Sequence, residues 1–369
     1  MHSTPIQSDY QHRDCINVVL LTDGKYTNLT AIAIASLVTE FEKSPSRTGR
    51  TLAIHVVCID VDESGKTEMA VASRAGCGDA QVSLRCIDHT LKGSPEGKRR
   101  WIQLVSLKIH LPDILSDLDR VIFLDSDIVV VSDIVPLWQT NLEGHWMGVV
   151  PCLLGDPRGL KNFNIFKIKF GHVSEPINAG VMVLDLALMR RLGVTATLDT
   201  WQQAHFDKLK LPEQEAISVN FPRQWKVLPH AWNFRPYGEP YWTAASWEEY
   251  RDYLQNRPGI VHFQSNVRPF DLNLNLPYYT EWKRAYDLVN PGQTLKRKTA
   301  SYFQFVFFEY PDILCKVSNF LPRGLVRFGS MIPLLGLVTF PHAIFGYLRY
   351  RLNPEGYKLR IYRFMPGSA

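Results

Sequence analysis

Val121-Ile-Phe-Leu-Asp-Ser-Asp127 is the stretch on which the reading of the chain turns. An apolar run goes straight into two carboxylates. Such a run, bounded by a polar break, predicts a buried strand whose end emerges into a cleft. Asp125 and Asp127 are two positions apart, so in an extended segment both side chains project to one side. Carboxylates placed together repel each other unless a cation lies between them. A hard divalent ion suits oxygen ligands, and its open positions suit a diphosphate. An acidic pair after a strand is also an ordinary solvated turn. The fully apolar strand in front of it is what gives the metal reading weight.

Upstream, Ile16–Leu21 is a β-rich apolar run that stops at Thr22-Asp23-Gly24. Tyr26 follows, and then Leu29–Phe41 has helical spacing. A strand, a polar turn and a helix open a βαβ unit. Ligands of open α/β sheets collect at the carboxyl ends of strands. Thr22, Asp23 and Tyr26 are therefore candidates for a ligand edge, although Asp23 would serve equally as a helix cap or turn residue. A second strand is predicted over Leu52–Val61, a helix over Thr67–Ala75 and a weaker strand over Val82–Ile87. The run Gly76-Cys77-Gly78 follows no strand and lacks a third glycine, which excludes a dinucleotide loop. The helical run Trp101–Leu115 carries Lys108 and leads into the central strand.

Downstream, Val135–Trp138 reads as a short helix and Trp146–Val150 as a strand. Pro151–Gly171 has no period, and connections this long are usually functional loops. Ile177-Asn178-Ala179-Gly180 predicts a turn opening the strand Val181–Leu184. Gly180, without a Cβ, lets backbone approach a ligand closely. Helices follow over Leu186–Leu192 and Thr197–Phe206. Leu211-Pro212-Glu213-Gln214-Glu215 starts another, with the proline and acids where a first turn prefers them. Val227–Pro229 and Ala231–Phe234 are aromatic-rich and predict a wall. Ile260–Phe263 is one more short strand, and a lone histidine such as His262 is more often a core residue than a ligand.

The whole chain sets bounds on these readings. Its 369 residues fit two domains, or one large α/β domain with an appendage. A composition of 46% hydrophobic and 21% charged residues supports a sizeable core. A net charge of +5 is small for this length and gives no reason to expect nucleic acid. The six cysteines (Cys15, Cys58, Cys77, Cys86, Cys152 and Cys315) form no C-x-x-C. That argues against a zinc or thioredoxin-type site and for reduced thiols in a cytosolic protein. Residues 1–15 read as a disordered lead-in without the apolar core of a secretory signal.

From Pro291 the composition changes. Lys296-Arg297-Lys298 is basic, Tyr302–Tyr310 is dense in aromatics, and Met331–Leu348 is apolar but broken by Pro333, Gly336, Pro341 and Gly346. Arg349, Arg351, Lys358, Arg360 and Arg363 follow. The prolines argue against a straight membrane span. The pattern predicts a helical, basic and aromatic appendage over 291–369 that lies on a membrane surface. A core helix hairpin is the alternative.

Five segments, in this order, resemble the retaining glycosyltransferases of family 8. They are Leu21-Thr22-Asp23-Gly24-Lys25-Tyr26, Phe123-Leu124-Asp125-Ser126-Asp127, Ile177-Asn178-Ala179-Gly180-Val181, Leu211-Pro212-Glu213-Gln214-Glu215 and His262-Phe263. The family includes lipopolysaccharide glucosyl- and galactosyltransferases, glycogenin and galacturonosyltransferase-like proteins. The resemblance implies a GT-A fold, Rossmann-like, over residues 16–290, a UDP-sugar donor and Mn²⁺, with Mg²⁺ as the alternative ion. It implies that Asp125, Asp127 and His262 ligate the metal and that the UDP diphosphate completes the octahedron. By the same analogy Asp23 bonds the uracil, Tyr26 stacks on it, and Ser126 lies by the ribose. Asn178 and Gly180 line the sugar pocket, while Glu213 and Gln214 contact the donor sugar on its reacting face. The family usually has Tyr and Arg in the helix before the central strand, and this chain has Ser106 and Lys108. After the histidine the family shows Gly and then Lys-Pro-Trp, where this chain has Ser265 and then Arg268-Pro269-Phe270. Arg268 is a candidate cation beside the leaving diphosphate.

The expected activity is transfer of a hexose from a UDP-sugar to a glycan or lipid-linked glycan, at the cytosolic face of a membrane. Two rivals differ in class. One is a catalytically silent sugar-nucleotide-binding or membrane-scaffold protein. The other is a haloacid-dehalogenase-type phosphatase, because Asp125-Ser126-Asp127-Ile128-Val129 also fits that family's motif. The opening strand–turn–helix and the Asn-Ala-Gly segment have no role in a phosphatase of that kind.

Overall fold

A computed structural model describes residues 15–75, 82–92, 97–151, 176–235, 253, 256–264 and 278–296. The chain divides into one compact unit of residues 1–241, 250–269 and 275–295 and a second of 242–249, 270–274 and 296–369. Apart from Lys296, the described residues belong to the first. The lead-in over 1–14 and the appendage beyond Lys296 lie outside the described residues, as do Ser265, Arg268 and the long loop after Pro151. Among the described residues no helix is long and apolar enough to cross a membrane.

A βαβ opening is present: β1 (Cys15–Asp23), α1 (Thr27–Lys43) and β2 (Thr51–Ile59), followed by α2 (Glu63–Ala72) and β3 (Val82–Asp88). Helix α3 (Gly97–Ile114) then leads to β4 (Arg120–Leu124), which is buried at all its positions. Pro112 falls in the last turn of α3, so the helix runs on to Ile114 before stopping. The sheet order is β3-β2-β1-β4-β7-β6-β8, where β6 is Met147–Pro151, β7 is Ile177–Asp185 and β8 is Lys226–Val227. Strands β1 to β4 run parallel; β7 is antiparallel to β4 and to β6. The order reverses between β1 and β4, and that is where an open α/β sheet leaves a crevice at its carboxyl edge. Val18 pairs with Ile122 and Leu20 with Leu124, so in the same register Thr22 and Ser126 follow side by side at the strand ends.

Past β4 the chain leaves the large sheet. Asp125-Ser126-Asp127 is a turn into β5 (Ile128–Val130), which pairs antiparallel with β9 (Ile260–His262) in a separate two-stranded sheet. The acidic tripeptide is thus not extended, as its spacing predicted, but a corner between two sheets. Short helix α4 (Val135–Trp138) follows. The predicted turn at Asn178-Ala179-Gly180 is also absent. These residues lie inside β7, where the register with β6 shifts between Val149 and Val150. An irregularity inside a strand carries the same small polar residues as a turn, which is why the sequence reads as one.

The antiparallel side carries α5 (Leu186–Leu192), α6 (Val194–His205) and α7 (Pro212–Asn220); α8 (Tyr279–Val289) packs on α1. Asp185 caps α5 by accepting from the Leu188 amide, and Gly193 ends it in the left-handed conformation. One apolar cluster, including Phe123, Leu107, Leu111, Met182 and Ile217, packs α3 and α7 on β4 and β7. This packing fixes the residues that flank the crevice.

Candidate active site

At the corner after β4, the Asp125 amide donates to the Gly180 carbonyl at 2.8 Å, tying the turn to β7. The Ser126 hydroxyl donates to the Leu21 carbonyl at 3.1 Å, tying it to β1. Thr30 Oγ1, on α1, lies 2.8 Å from Ser126 Oγ and 2.9 Å from Thr22 Oγ1. The Phe263 amide donates to the Asp127 carbonyl at 2.8 Å and brings in the end of β9. The corner is therefore fixed from several elements, and its two carboxylates have little freedom.

His262 Nε2 stands 3.1 Å from Asp127 Oδ1 and 3.8 Å from Asp125 Oδ2. One ligand atom from each of Asp125, Asp127 and His262 lies within 4.8 Å of the others. Two carboxylate oxygens and an imidazole nitrogen are a donor set for a divalent ion of intermediate hardness. His262 is 2% exposed, yet its Nε2 faces two carboxylates. The other ring nitrogen, Nδ1, is 2.9 Å from Asn233 Oδ1. The residues present thus fit a bound cation.

Lys108, from α3, sits behind this group. Its ammonium is 2.8 Å from Asp125 Oδ1, donates to the Ala179 carbonyl at 3.2 Å, and is 3.6 Å from Glu213 Oε1. The Phe123 ring lies under it at 4.9 Å. Burial acts to lower its pKa, but Asp125, Glu213 and Asp127 outweigh burial and hold it above the ordinary value. The lysine is a fixed cation. Glu213, at the start of α7, is buried in turn, and burial raises its carboxyl above the usual range against the pull of Lys108. Its Oε2 is buried without a hydrogen-bond partner among the described residues. Gln214 Nε2 reaches Glu213 Oε1 at 3.5 Å, at the limit of a hydrogen bond.

Asp23, at the end of β1, accepts the Lys25 amide on Oδ1 at 3.0 Å, the local turn its sequence allowed. Its Oδ2 faces Arg100 at 3.8 Å, and Arg100 pairs more closely with Asp60, at 2.9 Å. Tyr26 is 45% exposed, leaving its ring available for stacking. Asn178 is buried beside His262. The close approach that Gly180 permits is to that histidine: a Cβ there would stand 2.1 Å from Cε1 of the ring.

Sequence reading missed Asn233, Thr30, Arg100 and Asp60. Asn233 was visible only as the polar member of the aromatic run Ala231–Phe234. Arg100 was one of several cations at the start of α3. Asp60, at φ 54°, gave no sequence signal.

The model for the family described as "Glycosyl transferase family 8" matches residues 17–271. The chain belongs to that family, and it is a glycosyltransferase. General stress protein A of Bacillus subtilis (strain 168) is 27% identical over 211 residues, covering 55% of this chain and 69% of that protein. Probable galacturonosyltransferase 7 of Arabidopsis thaliana is 27% identical over 252 residues, covering 66% of this chain but only 37% of the plant protein. Among solved structures, galactosyltransferase LgtC, in complex with donor and acceptor sugar analogs, aligns with a TM-score of 0.58 at 20% identity, over 76% of this chain and 98% of that one. The bifunctional glycosyltransferase WbbM aligns at 0.57 and 17% identity, over 77% and 50%. At these identities the structures share the GT-A-like α/β fold. Nothing among these likenesses supports a dehalogenase-type phosphatase.

Proposed function

We propose that this glycosyltransferase moves a hexose from a UDP-sugar to a glycan or lipid-linked glycan, with retention at the anomeric carbon, and that it requires Mn²⁺ or Mg²⁺. The observation that carries the reading is the convergence of Asp125, Asp127 and His262 at the crevice of a family 8 fold. LgtC, which shares that fold, was solved with donor and acceptor sugar analogs.

A bound divalent ion supplies positive charge beside the leaving diphosphate as the glycosidic bond breaks. The remaining work falls to the chain. Lys108 holds the Asp125 carboxylate at 2.8 Å and keeps it from turning away from His262. Tyr26 offers its exposed ring to the uracil, Asp23 lies at the same edge, and Ser126 is placed for the ribose. Oε2 of Glu213, buried without a partner among the described residues, is the acceptor we assign to a sugar hydroxyl. Gln214 is an amide, too weak a nucleophile for a comfortable double displacement. We therefore read the reaction as a front-side substitution in which the acceptor proton passes to the departing diphosphate oxygen. Ser265 and Arg268, outside the described residues, are proposed to complete the diphosphate loop. The basic and aromatic composition beyond Pro291 supports docking on an anionic membrane surface at the cytosolic face, where lipid-linked acceptors lie.

UDP release from a panel of UDP-sugars, with Mn²⁺ and with EDTA and without acceptor, tests the reading. Slow release from one sugar, lost in EDTA, establishes the donor and the metal requirement. Tight UDP binding with no release from any UDP-sugar would overturn the UDP-hexose reading in favour of a silent binder or a non-UDP donor. Flotation of the full chain with anionic but not neutral vesicles tests the membrane surface; no flotation with either would remove it.

A further inference from the structure

We propose that Asn233, oriented by Asn178, is a positioning residue that fixes the tautomer of His262 and aims its Nε2 lone pair at the metal position. The proposal rests on the metal reading above and adds residues that hold no ligand atom themselves.

The orientation starts from a group that admits one reading. The Gly180 backbone N–H can only donate, so the Asn178 atom 3.0 Å from it is the carbonyl oxygen, Oδ1. The Asn233 amide nitrogen donates to that same oxygen at 2.8 Å. Asn233 Oδ1 is thereby turned toward the histidine, 2.9 Å from Nδ1. An amide oxygen only accepts, so Nδ1 carries a proton. A metal-bound imidazole is neutral and has one N–H, so with Nδ1 protonated it is Nε2, which faces Asp127 Oδ1 at 3.1 Å, that would offer its lone pair to the ion. The tautomer is assigned by this network, which begins at a backbone amide whose direction cannot flip.

The network thus fixes which nitrogen a cation would meet: Nδ1 is committed to Asn233, and Nε2 is left facing the carboxylates. Water does not substitute for the relay, because Asn178 and Asn233 are 3% and 2% exposed. Backbone bonds keep it in register. The His262 amide donates to the Phe234 carbonyl at 2.8 Å, and the Phe234 amide to the Ile260 carbonyl at 2.9 Å, so the segment holding Asn233 is zipped to β9. The Asn178 amide nitrogen donates to Gln264, two residues beyond His262, and closes the ring on the same strand end.

The test compares wild type, Asn233→Asp and Asn233→Leu as full chains. Long-range ¹H–¹⁵N NMR of the histidines, with Mg²⁺ and UDP bound, reads the tautomer, and His262→Gln identifies the His262 signals. Calorimetric titration with Mn²⁺ in the presence of UDP reads affinity. Wild type should show the Nδ1–H pattern. Asn233→Asp, which still accepts from Nδ1, should keep that pattern and bind Mn²⁺ within a few-fold of wild type. Asn233→Leu should lose it and bind Mn²⁺ about 10–100-fold more weakly, the usual cost of losing an outer partner of a metal-bound histidine. A wild-type ring protonated on Nε2, or an Asn233→Leu protein with unchanged Mn²⁺ affinity, would overturn the relay. If Asn233→Leu does not fold, the wild-type tautomer and the Asn233→Asp pattern still decide it. Wild type that binds no Mn²⁺ fails differently: it removes the metal reading itself, and the relay with it.

Discussion

His55 on β2 and His262 on β9 are both buried, 6% and 2% exposed, and each sets one ring nitrogen against an asparagine oxygen. His55 Nε2 is 3.1 Å from Asn17 Oδ1, and His262 Nδ1 is 2.9 Å from Asn233 Oδ1. The difference lies at the second nitrogen. In His55 it is buried without a partner among the described residues. Burial, with the Arg85 guanidinium nearby, pushes the His55 pKa down to about 4. In His262 the second nitrogen meets the carboxylates of Asp125 and Asp127. Burial therefore does not separate a core histidine from one placed where it could ligate a cation. The charge facing the free nitrogen does.

Substitutions can break that contrast from either side. Asp127→Ala removes a carboxylate from the His262 side, and Mn²⁺-dependent UDP binding should fall by more than the ~100-fold typical of outer-partner losses. Titration calorimetry checks this, and unchanged binding would end the metal assignment. Gly180→Ala drives a Cβ to 2.1 Å from the His262 ring, so the ring, held by Asn233, or the strand must shift. It should cost about 1–3 kcal/mol in denaturant unfolding and weaken Mn²⁺ binding as well; a variant as stable as wild type would show that the ring can move.

On the other side the effect is pH. His55 is neutral in the fold and gains a proton more readily when unfolded. Its contribution is therefore complete above its ordinary value of 6.5 and is lost as pH falls toward about 4. Over that window it amounts to roughly 3 kcal/mol. His55→Gln should flatten this part of the acid unfolding curve while leaving Mn²⁺ affinity unchanged; a curve that keeps its slope would exclude His55 as the cause. The smallest change is expected from Asp117→Asn. Asp117 pairs with Arg85 in a bidentate contact, but both side chains are about half exposed. Loss of the pair should shift stability by less than about 1 kcal/mol, and a larger shift in chemical denaturation would mean that the pair does more than a surface contact.

The parallel half of the sheet was legible because β1, β2 and β4 are mainly apolar runs ending at a polar turn, while β3 alternates and was the weaker signal. Thr22, Asp23, Asp125 and Asp127 could be placed because strand ends in such a sheet share one edge. The antiparallel half was harder to read. The segment from Asn178 to Gly180 has turn chemistry, yet it sits inside β7, since a register irregularity and a turn use the same residues. Asn233 could not be found, because its role depends on a contact with His262 across 29 positions and on no local pattern. His262 itself, judged by its neighbours in sequence, looks like a core residue. Only pairing of Ile128 with His262 brings it to the acidic corner. The resemblance to family 8 named it; local physics would not have.

That pairing joins residues far apart in time as well as in space. Asp127 and His262 are 135 positions apart, so at about 5–20 residues per second the histidine leaves the ribosome on the order of ten seconds after the acids. Until β9 has emerged and docked on β5, the nascent chain offers a cation only a bare acidic corner. An ion that binds the completed site then favours the docked strand by mass action, by an amount set by its free concentration over its dissociation constant. The last strand of the site is thus also the one a cation would rivet in place, and a chain stalled before Ile260 would carry the acidic corner without the histidine that completes it.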